Sequence, residues 1–193
     1  GFSVYDEGMK RDFFCRRSDG AGAFVGAVWP GPSVFPDFFR PDVRAWWGAL
    51  YKPLKEQGIA GFWNDMNEPS IFYTPDAFKD FAQKVRHFDE RNDFGEQLAN
   101  TLWDKGVINK EEYYNEFTHT INGQQVVNRE VHNLFGTQMT RAVADALLDD
   151  DPTKRYFLLS RSSYPGMHRY AAIWTGDNHS WWEHLSLNIQ MLI

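Results

Sequence analysis

The 193-residue sequence predicts an α/β fold built on parallel strands. Three observations carry that prediction. Short apolar runs closed by polar residues occur at 23–29, 59–65, 156–160 and 170–175. A helical apolar pattern separates the first pair, and a second one precedes the last pair. Strand, helix, strand is the unit of a parallel sheet, because a parallel partner is reached by a crossover rather than a hairpin.

Gly1 to Gly8 has no initiator Met and no helix or strand start signal, and reads as a cut end. The run from Ala23 to Trp29 reads as a buried strand, and Pro30, Gly31, Pro32 and Pro36 after it as a rigid loop. Pro41 suits a first helical turn. Val43, Trp46, Trp47, Leu50, Tyr51 and Leu54 then recur at helical spacing until a stop near Gly58, with Pro53 implying a kink or an early end. Ile59 to Asp65 is the next strand. Segment 70–130 is richer in charge and reads as an insertion after that strand. It carries Phe78, Phe81, Ala82, Val85 and Phe88 at helical spacing and an Asn122-Gly123 hairpin turn. Val131, Leu134, Phe135, Met139, Ala142, Val143, Ala146 and Leu147 predict a long helix before the third apolar run. Only nine residues separate Arg161 from Ala171, short for a parallel crossover of about 10–12 residues. Ser180 and Glu183 form a capping box that opens a last helix through Trp182, Leu185, Ile189 and Leu192.

Composition narrows the function classes. Twenty Lys and Arg against 26 Asp and Glu leave a net charge of −6 without a basic patch, which excludes nucleic acid or an anionic membrane as the main partner. No apolar run approaches the roughly 20 residues of a membrane helix. No leader pattern opens the chain, and the expected compartment, otherwise open, leans cytoplasmic. A single Cys15 supports neither an internal disulfide nor a multi-cysteine metal site. Aromatic residues make up 17% of the chain, so stacking surfaces are plentiful enough to consider a flat-faced ligand.

In parallel α/β folds the loops after the carboxyl ends of the strands form the site. Those ends supply Trp29 with Asp37, then Trp63 to Glu68, then Arg161, then Trp174 to Asn178. Two ends therefore deliver a Trp-flanked carboxylate, Asp65 and Asp177, and a third delivers arginine. Two carboxylates on a rigid scaffold can divide nucleophilic and acid/base work, and indole rings suit the C–H faces of sugars. Each Asp or Asn taken alone also fits a turn former or helix cap, and Asp37 and Asn178 are best read so. Asp89, Glu90, Asp93 and Asp149 to Asp151 read as solvated charge or a helix end, and Phe81, Phe88, Phe135 and His132 as packing. Trp46, Trp47 and Trp182 also read as helix packing. His179, Glu183 and His184 are the strongest metal candidate, yet lack the His-Glu-x-x-His spacing.

Gly61-Phe62-Trp63-Asn64-Asp65-Met66-Asn67-Glu68-Pro69 resembles the nucleophile signature of glycoside hydrolase family 31, and Trp174-Thr175-Gly176-Asp177-Asn178 resembles its acid/base signature. Val28 to Gly31, Phe35 to Phe38, His132 to Gly136, Arg161-Ser162 and Arg169 to Ala171 are similar to that family too, in the same order. The resemblance implies a partial (β/α)8 TIM barrel covering about strands 3 to 6, with Trp29 closing the third and Arg161 the fifth. It implies a retaining α-glucosidase with Asp65 as nucleophile and Asp177 as acid/base. Trp29, Trp63, Met66, Arg161 and Trp174 would line the sugar subsite, supported by Glu68, with no metal and no cofactor. Retention by double displacement predicts carboxyl groups about 5–5.5 Å apart. The Asp-Met-Asn-Glu form around Asp65 is similar to α-glucosidases, whereas family α-xylosidases and sulfoquinovosidases show Asp-Phe-Gly-Glu; α-1,4, α-1,6 and α-1,3 linkages all stay open. The expected partners are an α-glucoside oligosaccharide and the remainder of the barrel, without which the chain is expected to be inactive. A non-catalytic sugar-binding module is the alternative, against which the retention of both Asp65 and Asp177 speaks.

Overall fold

In the computed structural model, which describes residues 1–89 and 107–192 but not the side chains of 85–89, the chain forms seven α-helices and eight strands among the described residues. In order these begin with α1 (Ser3–Lys10), β1 (Arg16–Arg17), β2 (Val25–Val28), β3 (Gly31–Val34), α2 (Pro41–Ala49), α3 (Lys52–Glu56), β4 (Gly61–Asn64) and α4 (Pro75–Asp89). The second half of the chain adds β5 (Phe117–Ile121), β6 (Gln124–Val127), α5 (Asn128–Val131), α6 (Phe135–Asp150), β7 (Phe157–Ser160), β8 (Ala172–Ile173) and α7 (Trp182–Leu192). The side chains of Val85, Phe88 and Asp89, and the whole of Glu90 and Asp93, for which roles are expected, lie outside what the structure describes. Among the described residues no helix is long and apolar enough to cross a membrane.

Two compact units result. The first comprises Gly1–Asp37 and Ser70–Val131. Its strands are antiparallel: β1, β5 and β6 form one sheet, and β2 and β3 a hairpin. Here the sequence expectation needs correcting, because among the described residues the run at 23–29 joins no parallel sheet. Val28 pairs with Gly31 across the two-residue Trp29-Pro30 turn, and Gly31 takes φ +100°, a conformation that glycine adopts without strain. The expected proline loop is thus a strand, since a two-stranded hairpin has only edges and an edge tolerates Pro32. The Asn122-Gly123 turn is as expected, with φ of +52° and +80° between Ile121 and Gln124. Helix α1 is the other surprise. Buried Gly8 lets the Phe14 ring lie against the helix backbone, where any Cβ would overlap it, and Tyr5 stacks on Phe14 at 6.0 Å. The core joins Phe24, Phe35 and Phe117, with Phe24 and Phe117 stacked at 4.4 Å.

The second unit, Phe38–Pro69 and His132–Ile193, holds the parallel sheet. Strands β4, β7 and β8 lie in that order, all parallel, as an α/β fold requires. Pro41 opens α2 and Pro53 lies in the first turn of α3; a ring at 53 clashes with the carbonyl of residue 49, where α2 ends. Helix α6 packs on α2 and on the sheet through Val143, Ala144, Leu147 and Leu158, joined by Trp47, Tyr51, Phe62 and Tyr170. The helices approach closely at Gly48, where an added Cβ would overlap Ala146 and come within 2.6 Å of the Ala142 carbonyl oxygen. Gly48→Ala is therefore expected to destabilise the protein by about 1–3 kcal/mol despite the better helix propensity of alanine, as read by thermal or urea unfolding. The connection from β7 to β8 is as short as expected, with a single 3-10 turn at Met167–Arg169. Helix α7 begins at Trp182 rather than after Ser180, and Leu185 donates its N–H to the Trp181 carbonyl. Trp182, expected as packing, is 83% exposed, and Leu185, Ile189 and Leu192 are exposed with it.

Candidate active site

Strand register places the site. Asn64 of β4 pairs with Ser160 of β7, and Ser160 pairs with Ile173 of β8, so three strands end on one row. The next residue on each strand is Asp65, Arg161 and Trp174, respectively. The ladder continues into them: the Arg161 N–H donates to the Asn64 carbonyl at 3.2 Å, and the Trp174 N–H to the Ser160 carbonyl at 2.9 Å.

Arg161 organises the side chains just past the row. Its Nη1 lies 3.1 Å from Asp65 Oδ1. Its Nε and Nη2 form a two-pronged contact with Glu68, at 2.8 Å to Oε1 and 3.1 Å to Oε2, and Nη2 also donates to the Met66 sulfur at 3.0 Å. Such a fork holds a guanidinium in both position and plane. Hydrogen bonding to Glu68 raises the Arg161 pKa further above its already high ordinary value, and the charges of Glu68, Asp65 and Asp177 add to it. Asp65 and Asp177 therefore act on one cation. Asp65 Oδ1 also accepts the Met66 N–H at 2.8 Å, and among the described residues its Oδ2 takes no hydrogen bond. Trp63 and Trp174 meet edge to face at 5.2 Å, and the Arg161 guanidinium lies 5.9 Å from the Trp174 ring. Trp63 is 60% exposed, an open stacking surface beside the carboxylates.

Beneath this row runs a buried polar network. Asn67 donates to Ser160 Oγ at 2.9 Å and accepts the Ser162 N–H at 3.1 Å, while Ser160 Oγ donates to the Ser162 carbonyl at 2.8 Å. Asn64 donates to Thr140 Oγ1 at 3.2 Å, tying β4 to α6. Gly136 completes the contact, since a Cβ there would lie 2.7 Å from Ser162 Cβ and 2.8 Å from the Asn67 carbonyl oxygen. Met66 takes φ +60°, a costly conformation for a side-chain-bearing residue, on the turn that presents Asp65.

A sequence model described as the glycosyl hydrolases family 31 TIM-barrel domain matches residues 1–193. The chain belongs to glycoside hydrolase family 31. An alpha-glucosidase 2 of Bacillus thermoamyloliquefaciens is 36% identical to this family 31 chain over 98% of its length, and an alpha-glucosidase of Saccharolobus solfataricus 34% identical over all of it. The chain spans only 20% and 25% of those two proteins. The crystal structure of a family 31 alpha-glucosidase from Bacteroides thetaiotaomicron superimposes with a TM-score of 0.61 at 34% identity, covering 97% of this chain and 24% of that one.

Within this family 31 domain segment, the second unit gathers Trp63, Asp65, Met66, Glu68, Arg161 and Trp174, with Asp177 in the field of Arg161. Trp29 lies in the first unit at the β2–β3 turn, 81% exposed and edge-on to Phe72 at 5.0 Å. His179, Glu183 and His184 do not bring three ligand atoms together among the described residues. Instead His184 Nδ1 accepts the His179 N–H at 3.0 Å, and the His179 ring stacks on Trp181 at 4.4 Å. Sequence reasoning missed Asn67, Ser160, Ser162, Thr140 and Gly136 as supports of the site. The one signal available was their position just beyond apolar runs, which turn residues share.

Proposed function

We propose that the full-length protein is a retaining α-glucosidase that releases glucose from the non-reducing end of oligosaccharides. Asp65 attacks C1 of the α-linked sugar as Asp177 gives its proton to the departing oxygen, forming a β-glucosyl ester on Asp65. Water then loses its proton to Asp177 and adds at C1, and the ester bond breaks to return α-glucose and the Asp65 carboxylate. The observation that carries this reading is the shared guanidinium. Arg161 contacts Asp65 and feels the charge of Asp177, which supports two carboxylates flanking one reacting carbon. Because Arg161 and the Met66 N–H both engage Oδ1, Oδ2 is the attacking oxygen. Trp63, Met66 and Trp174 line the glucose subsite with Arg161, and Glu68 fixes the plane of Arg161.

The remainder of the barrel is the expected partner of this segment. Strands β4 and β8 are sheet edges among the described residues, and the apolar side chains of α7 are exposed. The 193-residue chain alone is accordingly expected not to hydrolyse an aryl α-glucoside.

Two measurements on the full-length protein test the mechanism. A mechanism-based fluoroglycoside should add one sugar to Asp65, located by peptide mass spectrometry, and labelling elsewhere would remove Asp65 from its role. Proton NMR at early times should show α-glucose as the first product, and β-glucose would mean inversion. Asp177→Ala should cost an aryl glucoside with an acidic leaving group far less than a disaccharide, because a good leaving group needs little proton donation.

A further inference from the structure

In the first unit, three side chains far apart in sequence bring metal-ligating atoms together. Cys15 Sγ lies 3.5 Å from His119 Nδ1, 104 residues away, and that nitrogen lies 3.1 Å from Asp37 Oδ1. All three atoms fall within 4.8 Å of one another, and the residues are buried, Cys15 and His119 completely. Among the described residues this is the single such group.

The hydrogen bonds around the cluster fix how its atoms face one another. Asn128 Oδ1 lies 2.8 Å from His119 Nε2, and an amide oxygen only accepts, so Nε2 carries a proton. The Thr120 N–H occupies Asp37 Oδ2 at 2.7 Å, leaving Oδ1 turned to Nδ1. A ring nitrogen, a carboxylate oxygen and a sulfur thus face one another, and in the metal-free chain the thiol proton points to the Pro36 carbonyl oxygen at 3.6 Å. A second proton on the imidazole would satisfy one pair. A metal ion satisfies all three. With metal–sulfur bonds of about 2.3 Å and metal–nitrogen or metal–oxygen bonds of about 2.0–2.2 Å, a tetrahedral site has ligand–ligand edges of about 3.3–3.6 Å. The observed 3.5 and 3.1 Å are close to those edges. The Pro36 carbonyl oxygen, 3.6 Å from Sγ, offers a fourth ligand.

Charge points the same way. A thiolate and a carboxylate cancel a divalent ion, and a neutral assembly is the form that tolerates full burial. A histidine that ligates through one nitrogen and donates the other to a fixed oxygen is the usual supporting arrangement at metal centres, and Asn128 supplies that oxygen. We propose that Cys15, Asp37 and His119 form a structural site for a zinc-like divalent ion, with Asn128 as the positioning residue for His119. The ion would staple the segment before β1, the loop after β3 and strand β5, three parts of one antiparallel unit.

The test uses the full-length protein, purified without chelator and then stripped. Elemental analysis should find about one zinc per chain before stripping. Cobalt added to the stripped protein should produce a thiolate-to-metal charge-transfer band, absent in Cys15→Ser. Zinc should raise the melting temperature of the stripped parent but not of Cys15→Ser. Asn128→Ala should keep the band while weakening cobalt affinity about 10–100-fold, which a residue that merely fills space would not do. Should Cys15→Ser fail to fold, the parent spectrum decides alone. Cobalt binding without a thiolate band, or no binding and no zinc-dependent stabilisation, overturns the site and leaves an imidazolium–carboxylate pair.

Discussion

On the proposed mechanism, Asp65→Asn in the full-length protein is expected to lower kcat/KM for an aryl α-glucoside by on the order of 10⁴-fold or more, with little change in sugar binding. Asparagine is nearly the same size as aspartate and keeps an oxygen to face Arg161 Nη1 and the Met66 N–H, so the turn that presents it should survive. What it lacks is the electron pair that forms the ester, and no neighbour can supply one in the same place. Steady-state kinetics together with glucose binding by tryptophan fluorescence separate the two effects. A loss of less than about tenfold would mean that another group attacks, since deleting a covalent nucleophile costs far more than that. The same variant should also lose labelling by the fluoroglycoside while folding normally.

Arg161→Met should produce the next largest loss, about 10²–10³-fold in kcat/KM, by the measure of other electrostatic groups at reacting centres. It removes the cation from Asp65 and Glu68 and the fork that fixes their mutual position. The cost to stability is smaller. The three side chains are 19%, 30% and 32% exposed, so water screens the carboxylates left behind, and about 1–3 kcal/mol is expected rather than the full cost of breaking a buried pair. Arg161→Lys distinguishes charge from shape. An ammonium restores the positive charge but cannot span Glu68 with two nitrogens, so recovery should be partial, with kcat lagging behind KM. Full recovery would show that the fork is dispensable. Melting temperatures of both variants check that the kinetic loss is not unfolding.

The parallel strands were legible because each is a short apolar run with a polar stop, and that same stop is where Asp65, Arg161 and Asp177 stand or lie close by. Pro41 and Pro53 marked the limits of α2, since proline acts through covalent geometry that no tertiary contact overrides. The failures have equally specific causes. Gly8 hid α1, because a glycine inside a helix lowers propensity while its value here lies in admitting the Phe14 ring. The prolines at 30 and 32 hid β3, since their meaning depends on whether the strand lies at an edge. The spacing of Trp182 predicts packing, yet spacing does not reveal whether a partner surface is present. At the site, residue type identified the groups fit for chemistry but not those that hold them. Asn67 contacts Ser160 and Ser162, 93 and 95 residues away, and nothing local in an asparagine or serine after a strand announces such a link. Cys15, Asp37 and His119 were illegible for the same reason: each is ordinary alone, and only the antiparallel pairing of the first unit brings them together.

The common row formed by Asn64, Ser160 and Ile173 bears on how this segment tolerates changes in length. A residue inserted within β4, β7 or β8 would shift one strand end by about 3.3 Å and turn its side chain to the opposite face of the sheet. Asp65, Arg161 or Trp174 would then miss the other two. Insertions and deletions should therefore be confined, among functional relatives and in any library built on this chain, to connections that do not set the row. The tight 161–171 connection is a poor place for them, whereas the exposed Asn122-Gly123 hairpin tip is a good one.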